Sequence, residues 1–236
     1  MSDAGSAGPD TRSAIPDGVV TRCVACKEVL FAREHERTGR ICPHCQHQAP
    51  LGAAERIGFV ADSGSFRPVP VAGGAVVGRA TVEGIQCAIG AVDGLTEGAD
   101  GDTANEALAA LLALAAPAVL FCAAGVGVAT DAPLGPWRGR AHRALARHGA
   151  ARLPYVLVIT DAHSEHGLLT SAPLGDTVIA EATVRDVPAP TQPREGETAD
   201  FPFVDMYVPR ADIRHELSKL LMFFAQAGDT DGERPD

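Results

Sequence analysis

Four of the six cysteines lie in one short stretch, CVACKEVLFAREHERTGRICPHC, which opens at Cys23 and closes at Cys45. Two residues separate Cys23 from Cys26, two separate Cys42 from Cys45, and fifteen lie between the pairs. Each Cys-x-x-Cys pair can wrap one side of a tetrahedral ion, so the spacing predicts a four-cysteine zinc site with sulfur at about 2.3 Å from the metal. Four thiolates leave no position open for a substrate. The site is therefore expected to be structural rather than catalytic. Two disulfides are the other use of such cysteines. The zinc spacing, with Cys87 and Cys122 left over in apolar runs, points instead to a reduced, cytoplasmic setting. Cys87 and Cys122 are expected to be plain buried thiols. His44 and His47 stand beside the second pair and are expected to face solvent.

A second group able to do chemistry follows the apolar run YVLVITD: His163, Glu165 and His166, in the segment DAHSEHG. A loop after a buried strand is where open α/β sheets place their ligands. Histidine and glutamate side by side can act as acid and base near neutral pH. The same trio could bind a metal, and a solvated polar turn is the plainer alternative. Asp161 is expected to cap the turn. Arg138, Arg140, Arg143 and Arg147 line a helix. They suit a solvated face, or they could hold the phosphates of coenzyme A or an acidic carrier protein.

The elements that must position these groups alternate along the chain. The segment 51–66 predicts a short helix with Ile57 and Val60 inward, then a turn at Ser63-Gly64. AVVGRATVEGIQCAIGAVD predicts a β-hairpin joined at Glu83-Gly84. NEALAALLALAAP predicts a helix capped by Asp102 or Thr103 and stopped at Pro117, and AVLFCA a buried strand after it. A second helix is expected over 137–148, a strand in YVLVITD and another in DTVIAEA. A last helix is expected over about 212–225, with Ile213, Leu217, Leu220, Leu221 and Phe224 at helical spacing. Its apolar face is expected to be covered by a partner. Repeated strand–loop–helix units point to an α/β domain with buried parallel strands.

Composition narrows the function classes. A net charge of −10 argues against tight non-specific binding to nucleic acid or to an anionic membrane. Between Val20 and Ile57 six Lys/Arg face four Glu, with Phe31 the one aromatic, so the cysteine module offers little for stacking on bases. No stretch of about 18 apolar residues is free of charges and breakers. The start of the chain is small, polar and proline-containing, as expected of a disordered tail rather than a secretory leader.

The cysteine module followed by ERIGFVADSGSF resembles the start of the beta subunit of bacterial acetyl-CoA carboxylase carboxyltransferase. AVVGRATVEGIQCAIGAVD, RHGAARLPYVLVITD, LGDTVIAEA and VDMYVPRADIRHELSKLL are similar to later stretches of that family, in the same order. The resemblance spans about Cys23–Phe224. It implies an α/β fold in which an N-terminal four-cysteine zinc ribbon precedes a crotonase-like ββα spiral. The implied organisation is a disordered tail over 1–19, the ribbon over 20–50, a carboxyltransferase-type domain over 51–226 and a second tail over 227–236. In that family backbone amides at glycine turns hold the thioester oxygen as an enolate, and a partner subunit completes the site and holds carboxybiotin.

Departures from the family pattern are specific. In AAGVGVAT, Gly125 remains, Val126 replaces a second glycine, and Val128 stands where an arginine is expected. In DAHSEHGLLTSAPLGD, Glu165 and His166 occupy a glycine pair, with Gly167 one step later. An oxyanion hole needs two amides aimed at one oxygen, each worth about 3–4 kcal/mol, and glycine gives the backbone its freedom there. The resemblance and its departures together imply an acyl-thioester site at Gly125, Val126, Gly167, Arg138 and Arg140, with His163, Glu165 and His166 as catalytic groups. The implied reaction is decarboxylation or another enolate-type step on an acyl-CoA or acyl carrier protein, without biotin. Two other readings are a non-catalytic subunit of a heteromeric carboxyltransferase-like complex and a conventional carboxyltransferase beta subunit. A homo-oligomer or a hetero-oligomer with a related subunit is expected in each case.

Overall fold

A computed structural model of the chain describes residues 18–71, 73–93, 101–123, 136–161, 175–182 and 203–230, with 101–102, 136–138 and 227–230 described by backbone alone. It divides into two compact units, Met1–Ala49 and Pro50–Asp236. Each is built around its own buried residues.

The first unit pairs two short antiparallel strands, β1 (Val20–Arg22) and β2 (Val29–Phe31), before one helix, α1 (Ala32–Arg37). Its centre is small: Leu30 with Cys23 and Cys42.

The second unit is a seven-stranded sheet whose strands lie in chain order, β3 to β9. Helix α2 (Ala53–Val60) leads into β3 (Arg67–Val69), β4 (Val76–Val82) and β5 (Ile85–Val92), which form an antiparallel meander. The expected hairpin turn is present. Glu83 and Gly84 both take positive φ, 49° and 82°, the twist-matched geometry that favours glycine in the second position. From β5 onward every pairing is parallel: β6 (Ala118–Ala123), β7 (Tyr155–Thr160), β8 (Thr177–Glu181) and β9 (Met206–Val208). Every residue of β6 and β7 is buried, as strands covered on both faces require.

Helices α3 (Gly101–Leu112) and α4 (Pro136–Ala150) make the crossovers β5–α3–β6 and β6–α4–β7. Leu108, Leu111, Ala141 and Ala144 from these two helices share one core with Leu120 and Leu157 of the sheet. Right-handed crossovers between neighbouring parallel strands place successive helices on one face in this way. The opposite face is covered by α2 and by α5 (Ile213–Thr230), through Ile57, Val60, Ile213, Leu217 and Leu221.

Several expectations are corrected in detail. Helix α3 begins at Gly101 and ends at Leu112, so Asp102 and Thr103 lie within its first turn and Pro117 does not stop it. A residue with positive φ, Ala115, turns the chain before β6. Helix α5 follows a single 3-10 turn (Arg210–Asp212) and continues to Thr230. Its apolar face is not open to a partner: Ile213, Leu217 and Leu221 are at most 1% exposed within their own core. The large apolar side chains that α5 does expose are Met222 and Phe223, at 50% and 64%. Cys87 and Cys122 are buried as expected, and burial pushes both thiols up to about 12. Among the described residues no helix is long and apolar enough to cross a membrane.

Candidate functional site

Two turns of the same design bring the four ribbon cysteines together. Each opens with a cysteine whose carbonyl accepts from the amide four residues on: Lys27 N–H to Cys23 at 3.0 Å, and Gln46 N–H to Cys42 at 2.9 Å. Lys27 and Gln46 take left-handed φ, 64° and 62°. The cysteine amides are bound in turn by carbonyls beyond the turn, Glu28 for Cys23 and His47 for Cys42. The four Sγ atoms lie within 4.8 Å of one another, with 3.6 Å between Cys23 and Cys45 and 3.7 Å between Cys26 and Cys42. A tetrahedral ion with thiolates at about 2.3 Å holds its sulfurs about 3.8 Å apart, so the spacing fits such an ion, zinc included.

The electrostatics of the thiols suit a bound cation. The Cys26 amide lowers the Cys23 thiol to about 6 despite some burial, so Cys23 ionises readily. Cys26 moves up to about 12: the Glu28 amide lowers it, but burial and the neighbouring sulfurs Cys45, Cys23 and Cys42 outweigh that. Several thiolates in one place repel, and a cation among them removes the conflict.

The second candidate centre was not anticipated. At the carboxyl ends of β7 and β8, Arg56, Asp161, Glu181 and Arg210 form a closed ring of charges, each side chain at most 7% exposed. Arg56 donates to Asp161 at 2.6 Å and to Glu181 at 2.5 Å. Arg210 donates to Asp161 at 2.7 Å and, through Nε and Nη2, to Glu181 at 3.0 and 2.9 Å. Strand register explains the meeting: Ile159 pairs with Ala180, which sets Asp161 against the end of β8, and its amide lies 3.4 Å from Glu181. Asp161 takes φ +48°, a conformation that aspartate tolerates better than most residues. Arg56 also sits over the Phe121 ring at 5.9 Å. Burial alone would raise the Glu181 carboxyl, but Arg56 and Arg210 hold it below the usual range. Burial alone would lower Arg56, and Glu181 and Asp161 reverse that. Asp161 is thus a partner in an ion cluster, and the turn that it was expected to cap lies outside the described residues.

Chemically, this quartet is balanced: two cations, two anions, all bonded to one another. It offers no free group to a substrate. It does fix α2, the two strand ends and the start of α5 to one point. Sequence inspection had one signal for it. Arg56 lies on the inward stripe of α2, with Ala53, Ile57 and Val60, where an unpaired arginine would be costly.

The remaining expected site residues divide as follows. His163, Glu165, His166, Gly125, Val126 and Gly167 lie outside the described residues, as does the side chain of Arg138. Arg140 is exposed on α4. Clefts among the described residues include one of about 430 Å³ beside Val20, His35 and Arg40 and one of about 300 Å³ along Ile57, Gly58 and Phe66. Neither is lined by the four charged residues, and neither adjoins the strand ends where the chemistry is expected.

No family model matches the chain. Curated relatives do. The acetyl-coenzyme A carboxylase carboxyl transferase subunit beta of Opitutus terrae is 24% identical, over 88% of this chain and 88% of the relative. That of Granulibacter bethesdensis is 27% identical, over 91% and 86%. Among solved structures, a Pseudomonas malonate decarboxylase MdcD–MdcE hetero-dimer matches with a TM-score of 0.52 and 22% identity, over 75% of this chain and 86% of the matched one. A malonate decarboxylase hetero-tetramer in complex with malonate matches with a TM-score of 0.50 and 20% identity, over 75% and 82%. Over most of its length, then, the chain is similar in sequence to carboxyltransferase beta subunits of acetyl-CoA carboxylase, and it shares the crotonase-like α/β fold of the malonate decarboxylase structures, with a cysteine cluster near its N-terminus.

Proposed function

We propose that the chain acts on a carboxylated acyl thioester, of coenzyme A or of a carrier protein, and removes the carboxylate through an enolate without biotin. In this step the bond from the α-carbon to the carboxylate breaks and carbon dioxide leaves. The electron pair moves onto the thioester oxygen. Amides at Gly125, Val126 and Gly167 are assigned to that oxygen, and Arg138 and Arg140 to the anionic part of the carrier. A proton then returns to the α-carbon from His166 or His163, with Glu165 orienting the donor. Zinc in Cys23, Cys26, Cys42 and Cys45 holds the ribbon and takes no part in the chemistry. The protein works in the cytoplasm, as an oligomer with itself or with a related subunit.

The observation that carries this reading is the anchoring of Asp161. It stands two residues before His163, and Arg56 and Arg210 lock it. A catalytic loop needs a fixed base, since misplacement of a reacting group by a fraction of an ångström lowers the rate. The replacement of glycines by Val126, Glu165 and His166 supports a changed reaction rather than the ancestral one. A base or acid of this kind contributes about 10²–10⁴-fold. Glu165→Gln and His166→Ala are therefore expected to lower turnover of a carboxylated acyl-CoA at least tenfold while leaving thermal unfolding unchanged. Full activity in both variants would remove these residues from the mechanism. A second reading, a non-catalytic subunit that shapes a partner's site, is favoured by the same glycine losses and by the hetero-oligomeric state of the malonate decarboxylase neighbours.

A further inference from the structure

Helix α4 breaks the charge pattern of the rest of the chain. Between Asp131 and Asp161 there are five arginines, two histidines and no carboxylate, although acids outnumber bases 30 to 20 overall. The inward side of α4 is largely apolar: Ala141 and Ala144 are buried in the core, and Nε2 of the buried His148 meets the carbonyl of Pro154 at 3.2 Å, while its Nδ1 has no partner among the described residues. Arg140, Arg143 and Arg147 are exposed, spaced three and four apart, which on a helix makes a single row spanning about 10 Å. Gly139 leaves room for the guanidinium of Arg143, whose Nη1 lies 3.4 Å from where a side chain at that position would begin.

On two other helices of this chain an exposed cation is paired locally. Arg37 pairs with Glu34 on α1 at 3.0 Å, and Lys219 with Glu216 on α5 at 2.7 Å. Among the described residues, Arg143 and Arg147 have no such partner. Like charges at this spacing repel. A merely solvated face would be expected to interleave glutamates.

We infer that the outer face of α4 is a docking surface for a partner protein that presents a row of carboxylates, and that Arg143 and Arg147 are its contacts. A long polyanion such as nucleic acid would extend past this one row onto a chain of net charge −10. A protein with a local acidic ridge meets the arginines alone. Planar guanidinium groups pair with carboxylates in two-point contacts, which supply orientation as well as attraction. This inference stands apart from the catalytic proposal and does not depend on it.

The test uses the full, metal-loaded chain. The probe is a labelled synthetic helical peptide with glutamates at the matching three-and-four spacing, alongside its glutamine analogue and a single-stranded oligonucleotide. Wild-type protein is expected to bind the glutamate peptide at low salt, with affinity falling as salt rises, and to bind the glutamine analogue at least tenfold more weakly. Arg143→Gln/Arg147→Gln should weaken the glutamate peptide at least tenfold with no loss of thermal stability. Equal binding of the two peptides, undiminished binding by the double variant, or tighter binding of the oligonucleotide than of the peptide would each overturn the proposal.

Discussion

Arg56 and Arg210 share two carboxylates so evenly that neither residue can be removed without stranding a charge. Glu181 is 0% exposed and receives both guanidinium groups, so Glu181→Gln leaves two buried cations facing one anion. Breaking a buried ion pair from one side costs roughly 3–5 kcal/mol, and a loss near that size is expected in urea unfolding at neutral pH. The pH dependence has a definite sign. Glu181 is held below the usual carboxylate range in the folded state. Its contribution is therefore complete above the unfolded value of about 4.3 and is lost as pH falls through the lower folded value. The glutamine variant should lack that part of the acid transition. A variant as stable as the parent at neutral pH would show that the quartet does not hold the strand ends.

Glycine replacements separate the elements that depend on close approach from those that do not. A side chain at Gly78, in β4, would run into the carbonyl oxygen of Arg67 and the ring of Phe66 on the neighbouring strand segment. Gly58, in α2, has nothing within 4 Å of that position. Gly78→Ala should lower the melting temperature, whereas Gly58→Ala should raise stability by about 1 kcal/mol through helix propensity; opposite signs by calorimetry would reverse the assignment. The elements that were legible in the sequence share a local signal. Strands β6 and β7 are unbroken apolar runs, the hairpin carries its turn glycine, and the cysteine spacing is itself a geometry. Strands β3 and β9 are three residues each, too short to show a period, and are fixed only by pairing with β4 and β8. The charged quartet was hidden for a different reason. Arg56 meets partners 105 and 125 positions away, so its role depends on a register that only the folded sheet supplies. The α5 stripe was legible as apolar, but periodicity alone does not say whether its own sheet or another chain covers it.

At the scale of the whole molecule, the two units have separate centres, cysteine sulfurs in one and a layered apolar core in the other. The small unit has few apolar residues to bury, so its folding free energy is expected to come from metal binding. Cys42→Ser, at a position 0% exposed, should abolish stoichiometric zinc and melt the first unit while the second keeps its own transition; retention of a full equivalent of zinc by that variant would count against the four-thiolate site. The second unit holds the claim about reaction type, and biotin dependence decides it. The direct measurement is release of labelled carbon dioxide from carboxyl-labelled malonyl-CoA by the purified chain, alone and with a related subunit, in the presence of excess avidin. Release is expected at the same rate with and without avidin. Release abolished by avidin, or net formation of malonyl-CoA from acetyl-CoA only when carboxybiotin is supplied, would contradict it.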